Sequence, residues 1–473
     1  MINPFQRRQK QDGRHTPNLW PVWLVAPGAL LLVALATYGL YHGTELLLAS
    51  ESTGKGKKPV SVQDVIKTTV TVLTLIGAVL AALYAYRKQL LDEGTSHRAD
   101  ATQLTERYTK AAEQLGHEQA AVRLAGVYAM ARLADDWPEQ RQVCVDVLCA
   151  YLRMPYETEP SEAGFRHGER EVRLTVIRII RSHLQDPAEA TTWCGRNLDF
   201  TGATFDGGDF SGSTFSGAEV LFGGAMFSGR VSFTGSTFSD GQVFFSGSTF
   251  SGGQVSFSDS TFSGGRVDFR GSTFSGGQVF FSGSTFSGGQ VSFGGSTFSG
   301  GQVYFGTSTF SSGRIDFLNS TFSGSRVYFG GSTFSGSQVN LGFSTFSGGE
   351  VDFGLSTFAG GQVGFKRLAF SDGELSFGGS TFSGGRVDFG SSSFSGGQVD
   401  FRGSSFSGGQ VGFRSLAFSD GELSFGGSTF SGGRVDFRGS SFSGGQVSFS
   451  GSQVGAAASI DWGPLPPVPA NQP

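Results

Sequence analysis

The chain has 473 residues, and its formal net charge of −4 is too small to mark a nucleic-acid or membrane-surface partner by itself. Its 74 Gly would fit a flexible linker, but 47 Phe exclude one, because disordered segments are poor in aromatics they cannot bury. Three cysteines, Cys144, Cys149 and Cys194, form no CxxC pair, so neither a disulfide framework nor a zinc site is expected and the thiols read as reduced.

Residues 1–18 read as a basic cytoplasmic tail, with Arg7, Arg8, Lys10 and Arg14. Two apolar runs follow, 19–41 and 68–86, each close to the ~20 residues that cross a bilayer as a helix. Both carry Trp or Tyr at their ends, as segments at a membrane interface do. The basic tail and the group Arg87, Lys88, Arg98 and Arg107 outweigh Lys55, Lys57 and Lys58 of the intervening loop, 42–67. The positive-inside bias therefore predicts a helical hairpin in the cell (inner) membrane, with an extracytoplasmic loop and the rest of the chain in the cytoplasm.

Residues 87–195 read as a small helical domain of about four helices, similar to a HEAT-type pair. "TQLTERYTKAAEQLG" stops at a glycine, "EQAAVRLAGVYAMARLADDW" places apolar residues at helical spacing, and Pro138 suits a first helical turn. The last helix has a basic stripe, Arg173, Arg178 and Arg181, expected on a solvated face. The six histidines occur singly, all before residue 184, and read as surface residues.

From Leu198 the pattern changes. Phe200, Phe205, Phe210 and Phe215 are five apart; from Phe238 to Phe442 a Phe recurs every twelve residues, and a second Phe lies seven beyond each, with Leu341 the one exception. A fixed period is the mark of a solenoid, in which each unit buries its apolar face against its neighbours. Two residues before each Phe stands a smaller residue, mostly Ser or Val, so the period-two strand rule turns both inward. Gly-Gly pairs supply the corners between the short faces and are turns, not phosphate loops. The solenoid is assigned to 196–452, and 453–473 to a Pro-rich, disordered tail.

The stretch "NLDFTGATFDGGDFSGSTF" resembles the pentapeptide-repeat proteins, with Ala203 and Ser213 at the small position and Phe205 and Phe215 at the aromatic one. The resemblance implies a right-handed quadrilateral β-helix, here with two residues added at alternate corners. The order of membrane hairpin, helical segment and repeats is similar to a recurrent actinobacterial arrangement. Four faces per coil require 24 residues and about ten coils, a rod of roughly 50 Å at ~4.8 Å per stacked strand. The near-identity of residues 364–398 and 412–446, two coils apart, supports that count.

With 24-residue coils, Phe280, Tyr304 and Tyr328 stack on one face as an exposed aromatic ladder, which is a candidate partner surface. The same face turns acidic toward the C-terminus, with Glu350, Asp352, Glu374, Asp400 and Glu422, interrupted by Arg326 and Arg402. The opposite face carries Arg266/Asp268, Arg314/Asp316, Arg386/Asp388 and Arg434/Asp436, read as self-neutralising pairs. No His or Cys follows Leu198, which removes most nucleophile–base pairs and metal clusters. No catalytic residue, metal or cofactor is expected. The reading is a membrane-anchored, non-enzymatic scaffold whose solenoid meets an unidentified protein partner, without direct nucleic-acid binding. Acidic faces in some pentapeptide-repeat proteins mimic duplex DNA and bind gyrase, so a topoisomerase regulator is the alternative. A surface-exposed structural or adhesive protein is the second alternative.

Overall fold

The computed structural model describes residues 31, 34–43, 45–46, 61–217 and 219–467, which fall into two compact units, 1–103 and 104–473. The basic tail and most of the first apolar run and of the loop after it lie outside the described residues; of that run, 34–41 are helical. Helix α1, Val62–Leu115, is a single helix of 54 residues where the sequence suggested a span followed by a separate helix. Within it Val65–Gln89 has a mean hydropathy of 2.0 and is long enough to cross a bilayer. Most side chains described there are exposed, Leu83 and Tyr84 among them. The hydroxyls of Thr69, Thr71 and Thr74 each donate to the carbonyl four residues back, so these polar groups are satisfied within the helix.

In the second unit, the end of α1 packs with α2 (Ala120–Asp136), α3 (Arg141–Arg153) and α4 (Glu169–His183). Their core is Val127, Met130, Leu133, Leu148, Val172, Val176 and Ile180, all fully buried, closed by Trp193. One buried ion pair ties α2 to α4: Arg123 Nη2 lies 3.0 Å from Glu169 Oε2, and the Tyr151 hydroxyl donates to the same carboxylate. The expected solvated stripe does not hold at Arg173. The residue is 3% exposed, and its guanidinium donates to the carbonyls of Tyr151, Leu152 and Thr204 and stacks over Tyr156, clamping the helices to the first coil. His183 likewise is no free surface residue: it stacks on Trp193 at 4.3 Å and contacts Asp135.

The solenoid has four faces. A twelve-stranded parallel sheet forms the Gln-Val face, an eleven-stranded one forms a Thr-Phe face, and a fifteen-stranded sheet covers the remaining two faces. The register between coils is 24 residues: Thr261 pairs Thr285, Val267 pairs Val291, and Tyr304 pairs Tyr328. From Thr321 onward, eight-residue strands such as Thr345–Asp352 run unbroken around the corner joining two faces, which is why these share one sheet. Pairing continues past the expected boundary at 452: Gln453–Val454 and Ser459–Asp461 add the last strands, so the disordered tail does not begin at 453.

The core is four columns of phenylalanine. Along each, rings stack face to face between coils, as in Phe281–Phe305–Phe329 at 4.8 and 4.7 Å. Two columns meet edge to face, for example Phe293 and Phe305 at 5.9 Å and 90°. Both geometries are ones aromatic quadrupoles favour. Small serines complete the interior. Ser332 Oγ donates to Phe305 O at 2.8 Å and accepts the Ser308 N–H, so a buried hydroxyl bonds the preceding coil twice. Tight turns follow the second Phe of each repeat; in one, Ser308 N–H bonds Phe305 O and Thr307 takes φ +58°. That geometry favours glycine, yet Phe343 and Leu355 occupy it with φ +60° and +59°.

Candidate functional site

The fourth face, reached from the Thr-Phe strands around the continuous corner, carries two outward columns. One holds Gln254, Gln278, Gln302, Arg326, Glu350, Glu374, Gln398 and Glu422 in successive register. The other holds Phe280, Tyr304, Tyr328 and Asp352. The three rings form one stack, 4.9 Å between Phe280 and Tyr304 and 5.1 Å between Tyr304 and Tyr328, nearly parallel. They cover one another and are half-buried rather than fully exposed. Beside them the glutamine amides form a ladder, Gln254 Nε2 to Gln278 Oε1 at 3.0 Å and Gln278 Nε2 to Gln302 Oε1 at 2.9 Å.

At Arg326 the column changes character. Its Nε lies 3.2 Å from Glu350 Oε2, a cation set against the acids that follow. Glu350, Glu374 and Glu422 then line an open groove of about 690 Å³ with Asp372. The floor is glycine for a steric reason. A Cβ at Gly373 would stand 2.4 Å from Gly349 O and one at Gly421 2.4 Å from Gly397 O, each with φ near +100°. Burial and the stacked carboxylates Glu350, Asp400 and Asp352 raise the Glu374 pKa. Burial, then Glu350, does the same for the Tyr328 phenol. Ser325 also lines the groove. It replaces a corner glycine, is 2% exposed, and its hydroxyl has no hydrogen-bond partner among the described residues.

The structure thus brings the six candidate residues onto one face but gives them unequal freedom. Asp352 Oδ1 accepts the Gly354 N–H, and Asp400 accepts the N–H and guanidinium of Arg402. These aspartates cap the next turn, a role the outward-pointing pattern did not disclose. On the opposite face the Arg–Asp pairs form as expected, at 2.9 Å for Arg266–Asp268 and 2.6 Å for Arg386–Asp388. Their aspartates do more than neutralise: Asp268 is buried and caps the Arg270 N–H, and Asp436 is shared by Arg414, Arg434 and Arg438. A signal for this was legible, since a turn residue stands two places after every Asp of the Val-Asp-Phe triplets.

Among the described residues no group of three or more His, Cys, Asp or Glu side chains is placed to hold a metal. The thiols are free, and burial pushes Cys144 up to about 11 and Cys149 up to about 12, so both are inert neutral groups at ordinary pH.

A parallel β-solenoid of 24-residue coils, capped by helices and filled by single-residue columns, defines the class: a solenoid repeat protein. The family model of pentapeptide repeats matches residues 194–237 and 222–273, and the same inward pattern and pairing continue to Asp461. Residues 194–273 thus carry pentapeptide repeats. No curated protein and no solved structure matches the chain.

Proposed function

We propose that the chain is a membrane-anchored, non-enzymatic scaffold that offers the fourth face of its solenoid to a protein partner. The observation that carries this reading is the order of groups on that face: a half-buried stack of Phe280, Tyr304 and Tyr328 passes directly into the acidic groove of Glu350, Glu374 and Glu422. Aromatic anchors beside charged groups are the usual content of a protein-binding hot spot, and the carboxylates favour a basic partner. In this reading Val65–Gln89, long and apolar enough to cross a bilayer, is the anchor, and the basic residues flanking the two apolar runs favour a cytoplasmic side for the repeats. Crosslinking followed by capture tests the partner surface. Tyr304→Ser/Tyr328→Ser and Glu350→Lys/Glu374→Lys should each lose the same partner, and an unchanged set of crosslinks in both would remove this face from consideration. Digestion of the solenoid by protease added to intact cells would overturn the cytoplasmic placement in favour of a surface or adhesive role.

The acid column also supports a second reading, a DNA-mimicking regulator of a topoisomerase. In that case the chain inhibits gyrase supercoiling, and the inhibition disappears in Glu350→Lys/Asp352→Lys/Glu374→Lys.

A further inference from the structure

A second feature lies apart from that face. Between α4 and the first coils is an open cavity of about 590 Å³. Four guanidinium groups line it, Arg170, Arg178 and Arg181 from α4 and Arg230 from the strand Met226–Ser232. Residues 170, 174, 178 and 181 follow helical spacing, so one stripe of α4 turns its basic side chains to the cavity. The opposing wall is Gly207–Gly208. A Cβ at 207 would sit 3.2 Å from Arg170 Nη2, and one at 208 would sit 3.0 Å from Ile177 Cδ1, so α4 packs this close only against bare backbone.

Two of the four charges are committed. Arg170 Nε lies 2.9 Å from Asp206 Oδ2, which the Tyr156 hydroxyl also meets, and Arg181 Nη1 lies 3.1 Å from Asp209 Oδ2. Arg181 Nε donates to Ser211 O at 2.8 Å, which fixes the wall further. Arg178 and Arg230 are exposed, and neither makes an ion pair or side-chain hydrogen bond among the described residues. Four guanidiniums against two carboxylates leave an excess of two positive charges on a rigid frame.

We propose that this cavity binds a phosphate monoester, with Arg178 and Arg230 taking the dianion and the paired arginines shaping the walls. Guanidinium forks match phosphate oxygens in geometry as well as charge. The volume is that of a small-molecule site, with room for the ester group beyond the phosphate. The phosphate can come from a soluble metabolite or from a lipid headgroup, and the chemistry recognised is the same.

The test uses the full chain in neutral-detergent micelles at low ionic strength, where surface charge is least screened. Thermal unfolding is followed while inorganic phosphate, dihexanoyl phosphatidic acid or acetate is titrated. Phosphate should raise the Tm saturably, acetate should not, and Arg178→Gln/Arg230→Gln should need at least tenfold more phosphate for the same rise. The single variant Arg178→Gln serves if the double one unfolds. At least tenfold tighter binding of phosphatidic acid than of phosphate identifies a lipid source, and the reverse order a soluble one. No rise with either phosphate probe, an equal rise with acetate, or an undiminished rise in the variants would overturn the proposal.

Discussion

Phe305→Ala probes what holds the solenoid together. Phe305 is fully buried, stacked on Phe281 and Phe329 at 4.8 and 4.7 Å, and set edge-on to Phe293 and Phe317 at 5.9 and 6.2 Å. Removing a buried Phe side chain costs about 3–5 kcal/mol, and the size of the residual cavity sets the position in that range. Here the neighbouring rings are fixed by sheet register above and below and cannot collapse inward, so the upper end, about 5 kcal/mol, is expected. Phe442, near the C-terminal end, is half-buried and tilted 42° from Phe418 at 5.8 Å. Phe442→Ala should cost only about 1 kcal/mol, the share of a side chain partly removed from water. Urea unfolding followed by circular dichroism gives both values. Native-state hydrogen exchange should show the Phe305→Ala loss spreading to the coils of Phe281 and Phe329 alike, as nearest-neighbour coupling requires. Equal costs for the two variants would refute the stacked-column account of stability.

Three further outcomes follow from the same contacts. Ser332→Ala removes the bond to Phe305 O and the acceptor of Ser308 N–H, so urea unfolding should show a loss of about 1–3 kcal/mol. Leu355→Gly should stabilise by about 1 kcal/mol in the same assay, because Leu355 is 76% exposed and held at φ +59°. Arg438, with Arg414, holds the Asp436 carboxyl well below the usual carboxylate range. Its contribution is therefore complete above the unfolded-state pKa near 4 and is lost as pH falls below it. Thermal unfolding between pH 5 and 2 should show the wild-type Tm dropping more steeply than that of Asp436→Asn.

Much of the solenoid was legible because the code is redundant. Every Phe from 238 to 442 repeats the same statement about which way a side chain points, and Ser236 or Val243 two places earlier repeats it again. The 24-residue register, the columns and the shared face of Phe280, Tyr304, Tyr328, Glu350, Asp352 and Glu374 all followed. What stayed hidden depends on where a polar atom goes after its side chain leaves the backbone. Outward alternation places Asp268 on the surface, whereas its short arm folds back onto the Arg270 N–H and is buried there. Arg173 was misplaced for a related reason: helical periodicity sets its stripe but cannot see the first coil, whose Thr204 carbonyl it reaches. Phe343 and Leu355 hid the turn they occupy, since most other turns announce it with glycine.

Trp462 lies against Phe449 at 5.0 Å and 73°, across the top of the last ring. Most earlier rings receive a near-parallel copy of themselves; this one receives a steeply inclined indole instead. The solenoid can thus be regarded as a one-dimensional crystal with a growth unit of 24 residues and a poisoned end. Duplication of a coil changes its length by one lattice step and leaves both terminal surfaces as they were. The indole closes one column of stacked rings, while the strands Gln446–Ser448, Gln453–Val454 and Ser459–Asp461 end the three sheets.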